Sequence, residues 1–174
     1  MSTPHPEIPP AVAPIISAIE ADAATAVLVD LLKLASLING PMRDIVADPL
    51  EMSPTELKIL LALGGEGELA GHDLSEIMGV PPMNVSRAIS GLIQRGWVEP
   101  GIDRSNRRRK PVRLSAEGRA AFLRTMAPMK TVADGLLGGL NARDRATFRR
   151  AAQSILSRMA DWMHEHHAEV QLHG

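Results

Sequence analysis

Residues 71–99 read GHDLSEIMGVPPMNVSRAISGLIQRGWVE, and the fold turns on this stretch. Leu74, Ile77 and Met78 form one short apolar helical face that stops at Gly79. A few residues later Val85, Ile89, Leu92 and Ile93 form another, with Pro82 in its first turn and Gly96 at its end. Two helices joined by a tight glycine turn have the spacing of a helix-turn-helix unit, which an ordinary helical hairpin in a core shares.

The residues that follow separate those readings. Trp97-Val98-Glu99 and Pro111-Val112-Arg113-Leu114 are short strand candidates. Between and within them six of the ten residues 104–113 are basic: Arg104, Arg107, Arg108, Arg109, Lys110 and Arg113. Helix-turn-helix, strand, basic loop and strand together describe a winged helix with arginines at the wing tip. The charge is segregated along the chain, whose net charge is only −1. Residues 1–80 hold three Lys/Arg against twelve Asp/Glu, residues 81–130 hold eleven against three, and residues 131–174 balance. A polyanion responds to the face it meets and not to the chain's total, so this distribution points to double-stranded DNA.

On the N-terminal side, Ser53-Pro54-Thr55-Glu56 is a capping box with proline at the first helical position. The helix it opens runs through Leu57, Leu60, Leu61 and Leu63 to an expected stop at Gly64-Gly65. Residues 14–46 are helical in composition. An apolar stripe there comprises Ile19, Ala23, Ala26, Val27, Leu31, Leu34 and Leu37 or Ile38, and Asn39-Gly40-Pro41 predicts a kink or a break. On the C-terminal side, Ser115 caps a helix carrying Phe122, Leu123 and Met126, which Pro128 is expected to kink. Asn141 caps a last helix with Phe148, Ala152, Ile155, Leu156, Met159 and Met163 on one face. A chain of 174 residues offers too little domain to cover so long an apolar first helix, so a second subunit is the expected cover.

Composition narrows the function. Absence of cysteine removes disulfides, thiolate metal sites and thiol redox sensing. No targeting segment is read at the start, and no uninterrupted apolar run approaches the roughly 20 residues of a membrane span. A soluble, cytoplasmic protein without membrane association is expected. His164-Glu165-His166-His167 places two histidines a helical turn apart but lacks the metalloprotease spacing. Solvated histidines are the reading, with no metal and no cofactor. A small metal-dependent enzyme built on that cluster is the alternative. His72 beside Asp73 reads as a surface group.

From Ser53 to Gly118 the chain resembles the MarR family of bacterial transcription regulators. The resemblance is carried by Asn84-Val85-Ser86-Arg87, by Leu92-Ile93-Gln94-Arg95-Gly96-Trp97-Val98-Glu99, and by Asn106-Arg107-Arg108 followed by Leu114-Ser115-Ala116-Glu117-Gly118. Asn106 stands where the family usually has a wing aspartate, and Met83 where a small polar residue is frequent.

The resemblance implies a mainly α fold with a small β wing, a winged helix-turn-helix at 53–115, and a helical dimerisation domain from both termini at 14–47 and 116–168. Residues 1–13 form a disordered or loosely docked arm and 169–174 a tail. It implies a homodimeric, non-enzymatic regulator, most often a repressor, that binds a pseudo-palindromic operator and is released by a small-molecule effector. Pro82, Asn84, Ser86 and Arg87 of the recognition helix, with Arg107, Arg108, Arg109 and Lys110 of the wing, are the DNA-binding candidates. Arg108 is assigned to the minor groove and the other wing cations to phosphates. With no thiol to oxidise, an organic effector is expected, an aromatic or phenolic carboxylate that Arg43 is placed to pair with.

Overall fold

The computed structural model describes residues 22–101 and 110–172, with the side chains of 160, 161 and 163–172 left aside. The arm at 1–13 and the wing-tip residues Arg104, Arg107, Arg108 and Arg109 lie outside the described residues, as do the side chains of His164, Glu165, His166 and His167. The elements run α1 (Ala23–Pro41), α2 (Pro54–Glu66), β1 (Leu69–Ala70), α3 (Gly71–Met78), α4 (Pro82–Gln94), β2 (Val98–Pro100), β3 (Pro111–Leu114), α5 (Ala116–Leu137) and α6 (Ala142–Leu172). Two compact units divide the chain at Met129, inside α5.

In the first unit the expected interruption at Asn39-Gly40-Pro41 is not a break. Helix α1 includes Pro41 and passes into a wider π-type turn over Met42–Ala47, then a 3-10 turn over Asp48–Leu50. Proline lacks an N–H and crowds the carbonyl four residues back, and wider winding accommodates both. The consequence is a single apolar run, Ala23–Leu50, long and apolar enough by length and composition to cross a membrane, with mean hydropathy 1.5 and none of that window buried. Two apolar stretches separated in the sequence by Gly-Pro have become continuous. Within the run, Asp30 and Lys33 form an exposed ion pair at 3.6 Å.

Helix α2 opens as its sequence dictates. Ser53 Oγ accepts from the Glu56 amide at 3.2 Å, and Glu56 Oε2 accepts from the Ser53 amide at 2.8 Å. Its end is displaced from Gly64-Gly65 to Glu66, with Gly67 at φ 89° as the cap. The ring of Phe122 occupies the space a Cβ at Gly64 would need, approaching to 2.3 Å, so Gly64 is a packing glycine and not a terminator. Leu57, Ile59, Leu60 and Leu63 are buried along α2.

The junction between α3 and α4 is a glycine cap. Gly79 sits at φ 59°, its amide donating to the Glu76 carbonyl at 3.3 Å, while the Val80 amide donates to Ser75 at 3.2 Å. That paired 5→2 and 6→1 pattern recurs at Gly96, φ 70°, where the Trp97 amide donates to Leu92 at 2.9 Å. Ser75 Oγ donates to the Val80 carbonyl at 2.6 Å and fixes the turn.

Strands β1, β3 and β2 form an antiparallel sheet in that order, with Leu69 opposite Val112 and Val98 opposite Leu114. The two-residue β1 was not apparent in the sequence, because so short a strand has no periodicity to read. Val98, Val112 and Leu114 turn inward onto a core that includes Leu74, Val85, Ala88 and Leu92. Two residues expected on apolar faces are exposed: Ile77 of α3, where Leu74 is the buried residue, and Ile93 of α4, whose buried stripe runs along Val85, Ala88 and Leu92.

Ser115 opens α5, its Oγ accepting from the Gly118 amide at 2.9 Å and donating to the Gly96 carbonyl at 2.6 Å. A Cβ at Gly118 would clash with the Trp97 carbonyl oxygen, so α5 begins directly on the backbone of the residue before β2. Pro128 lies inside α5, which continues through it, and Leu123 and Met126 are exposed while Ala121 and Thr125 are buried. In the second unit Asn141 caps α6, accepting from the Asp144 amide at 3.0 Å. Phe148, Ile155, Leu156, Met159 and Trp162 along α6 are exposed.

Candidate nucleic-acid interface

Helix α4 presents two chemically distinct faces. Val85, Ala88 and Leu92 hold one against the core, which leaves Met83, Ser86, Arg87, Ser90 and Gln94 exposed on the other. The helix begins at Pro82, preceded by Pro81, and the Asn84 amide donates to the Pro81 carbonyl at 2.9 Å. No acidic residue lies anywhere in α4.

Asn84, Arg87, Ser90 and Gln94 line one wall of an open groove of about 520 Å³, whose other wall is the capping box of α2, Ser53, Thr55 and Glu56. Glu56 reaches across it, and a Cβ at Gly91 would stand 2.7 Å from its Oε1. The structure thus brings the recognition-helix candidates Pro82, Asn84, Ser86 and Arg87 onto the exposed side of one helix. It adds to that face three residues that are not among the sequence-derived DNA-binding candidates: Met83, Ser90 and Gln94. Their signal was present as the helical spacing 83, 87, 90 and 94, which marks the face opposite the buried stripe. Ser90 Oγ is turned back onto the Ser86 carbonyl at 2.9 Å.

The basic residues of the region do not all serve one surface. Arg113 of β3 donates from Nε to Glu99 at 2.8 Å and pairs through Nη1 with Glu68 at 3.3 Å. The hydrogen bond to Glu99 is the main cause holding its pKa above the ordinary arginine value. It is a clamp across the sheet and leaves the cluster counted in the sequence. Arg119 donates to the Leu114 carbonyl at 3.1 Å, and Arg95 donates to the carbonyls of Leu50 and Glu51. Arg87 and Lys110 are exposed.

Arg43 lies in the wide turn after α1, its Nε donating to Asp44 at 2.8 Å. That hydrogen bond, reinforced by the charge of Asp44, raises the Arg43 pKa. A carboxylate ligand at Arg43 would therefore share or displace an existing carboxylate partner. Among the described residues no group of three or more His, Asp or Glu could hold a metal ion. His72 Nε2 lies 3.0 Å from Asp73 on the surface.

No curated protein sequence matches the chain. Among solved structures, it is similar to a MarR-family transcriptional regulator from Silicibacter pomeroyi at 23% identity and TM-score 0.66, covering 80% of this chain and 91% of that one. A MarR-family regulator from Rhodococcus sp. RHA1 is similar at 18% identity and TM-score 0.66, covering 78% and 95%. BpsR of Bordetella bronchiseptica, whose DNA binding is regulated by 6-hydroxynicotinic acid, is similar at 19% identity and TM-score 0.61, covering 75% and 98%. At these identities the likeness is one of fold. The sequence model of the MarR family matches residues 50–109, from the turn before α2 to the wing. The winged helix-turn-helix of this chain is thus similar to that of the MarR family in fold and, over residues 50–109, in sequence.

Proposed function

We propose that the chain is a homodimeric, DNA-binding transcription regulator, a repressor of the genes whose operator it occupies. The observation that carries this reading is the acid-free, exposed face of α4, held rigidly by the core on one side and flanked by a basic wing sequence on the other. Asn84 offers the paired donor and acceptor suited to adenine, Arg87 suits guanine or phosphate, and Ser86 suits phosphate. Arg108 enters the minor groove in this reading, with Arg107, Arg109 and Lys110 on the backbone. Two copies of α4 must sit about one DNA turn apart to read a pseudo-palindrome, so a second subunit is part of the site.

The exposed apolar residues of α1 support a second copy as its cover, and on that reading the protein works in the cytoplasm. An effector that binds one spacing of the two recognition helices better than the other changes DNA affinity by that difference. The regulation of BpsR by an aromatic acid supports an aromatic or phenolic carboxylate as the effector class. Fluorescence anisotropy with duplex DNA from upstream of the chain's own gene tests the reading. Saturable, salt-sensitive binding of a dimer, reversed by one member of a panel of aromatic acids, is expected. Equal, weak binding to every duplex overturns it.

A further inference from the structure

We propose that Met83 is a base-reading residue that recognises the 5-methyl group of a thymine in each operator half-site. The inference rests on the DNA-binding reading above and adds a contact to it. Met83 is 73% exposed, among the most exposed large apolar side chains described, and occupies the first turn of α4. Its place on the helix excludes a packing role in this chain, since the core stripe of Val85, Ala88 and Leu92 lies on the opposite side. It sits at the centre of the exposed face, one turn before Arg87 and in line with Ser90 and Gln94.

Its exposed neighbours along this face of α4, Ser86, Arg87, Ser90 and Gln94, are polar and α4 holds no acidic residue, so the face suits a polyanion and not an apolar protein surface. An apolar side chain at the centre of such a face needs an apolar partner within the polyanion. In the major groove that partner is the thymine methyl, the only hydrocarbon on a base edge there. The N-terminal residues of a recognition helix are the ones that reach base edges, and side chains of a helix lean towards its N-terminus. An unbranched thioether can follow the methyl without a demanding geometry.

The test uses the full-length protein and a high-affinity duplex selected from a random-sequence pool. Each thymine is replaced in turn by deoxyuridine, which removes the methyl and leaves the hydrogen-bonding edge unchanged. One thymine per half-site is expected to respond, with affinity falling about fourfold for one half-site and about fifteenfold when both are replaced. In Met83→Ser the same thymine and uridine duplexes should bind equally. Because Met83 is exposed, that variant should keep the wild-type melting temperature, and the uridine series on the wild type needs no variant. Neutral uridine substitution at every position overturns the proposal, as does a thymine preference that survives in Met83→Ser. Loss of dimerisation in Met83→Ser with an unchanged thymine preference would make Met83 a protein contact and overturn it also. If the pool yields no specific duplex at all, the DNA-binding reading itself falls, which is a different result from binding without methyl dependence.

Discussion

The guanidinium of Arg95 lies over the indole of Trp97, 5.1 Å from the ring centroid, and the same side chain donates to the backbone carbonyls of Leu50 and Glu51. Arg124 of α5 approaches the same ring, at 5.7 Å. One residue just beyond α4 therefore touches the turn that ends the first helical run, while the ring it covers is also approached from α5. Glu51 occupies the left-handed region at φ 53°, and its carbonyl is aimed at Arg95 as a result. The position of α4 is thus tied to segments on both sides of the winged helix.

Arg95→Ala should lower unfolding stability by about 1–2 kcal/mol, the sum of a partly exposed cation–π contact and charge-assisted bonds to carbonyls. In a Trp162→Phe background, where Trp97 is the one remaining tryptophan, the same change should shift its fluorescence to longer wavelength. Arg95→Lys should restore less than half of the stability, because an ammonium cannot span two carbonyls and stack at once. Full restoration by lysine would reduce the contact to simple charge.

Gly118→Ala should destabilise by roughly 1–3 kcal/mol, since the new Cβ meets the Trp97 carbonyl and backbone cannot yield as a side chain does. Gly65→Ala, where a Cβ meets nothing within 4 Å, should be neutral or slightly stabilising through better helix propensity. Thermal melts of the two variants side by side check the contrast. A melting temperature unchanged in Gly118→Ala would show that α5 can move off β2 freely.

The logarithm of DNA affinity should fall with the logarithm of salt with a slope on the order of −5 to −10 for the dimer. Arg107→Ala and Lys110→Ala should each make the slope shallower and leave sequence preference nearly intact. Asn84→Ala should keep the slope and relax preference at one position per half-site. Arg113→Ala should do neither, because Glu99 and Glu68 already hold that guanidinium, and its effect should appear in stability instead. A flat salt response of the unmodified protein would remove the physical support for the wing.

Val27, Leu31, Leu34 and Ile38 fall on one stripe of α1, and Leu34 is 54% exposed. Leu34→Glu should convert the dimer to a monomer in light scattering and weaken operator binding at least tenfold, because half-sites are read in pairs. Wild-type protein should remain in the supernatant of lysed cells without detergent. Recovery only from membranes would make lipid, and not a second copy, the cover of Ala23–Leu50.

Asp22 caps α1, accepting from the Thr25 hydroxyl and from the amides of Thr25 at 3.0 Å and Ala24 at 3.4 Å. The hydroxyl, then the amides, hold its carboxyl below the ordinary 3.8. A depressed folded pKa means that this stabilisation is complete above the unfolded value and is lost as pH falls through the lower folded one. Helicity from the first turn of α1 should therefore be constant from neutral pH down to about 3.8 and decline only below it. Asp22→Asn, a cap without a charge, should show no such decline in circular dichroism. Identical acid titrations for the two proteins would discard the role.

The sequence alone determined the features whose partners lie within about a turn of each other: the Ser53–Glu56 box, the Asn141 cap, the cap at Ser115 and the glycine turn at Gly79. Such signals are local because a capping side chain reaches only three or four residues along its own chain. The family resemblance was legible for the same reason, as it is carried by consecutive residues. Tertiary structure decided the rest. Gly64 reads as a terminator until the ring of Phe122, 58 positions away in the chain, is found where its side chain would be. Arg113 reads as part of a basic run until β1 and β2 bring Glu68 and Glu99 to it. Met83 reads as a departure from a pattern until the core claims the opposite face of α4 and leaves it exposed. In each case the residue's role depends on which surface lies across from it, and that is set by packing between segments distant in the chain, where a sequence pattern records the residue but not its neighbour.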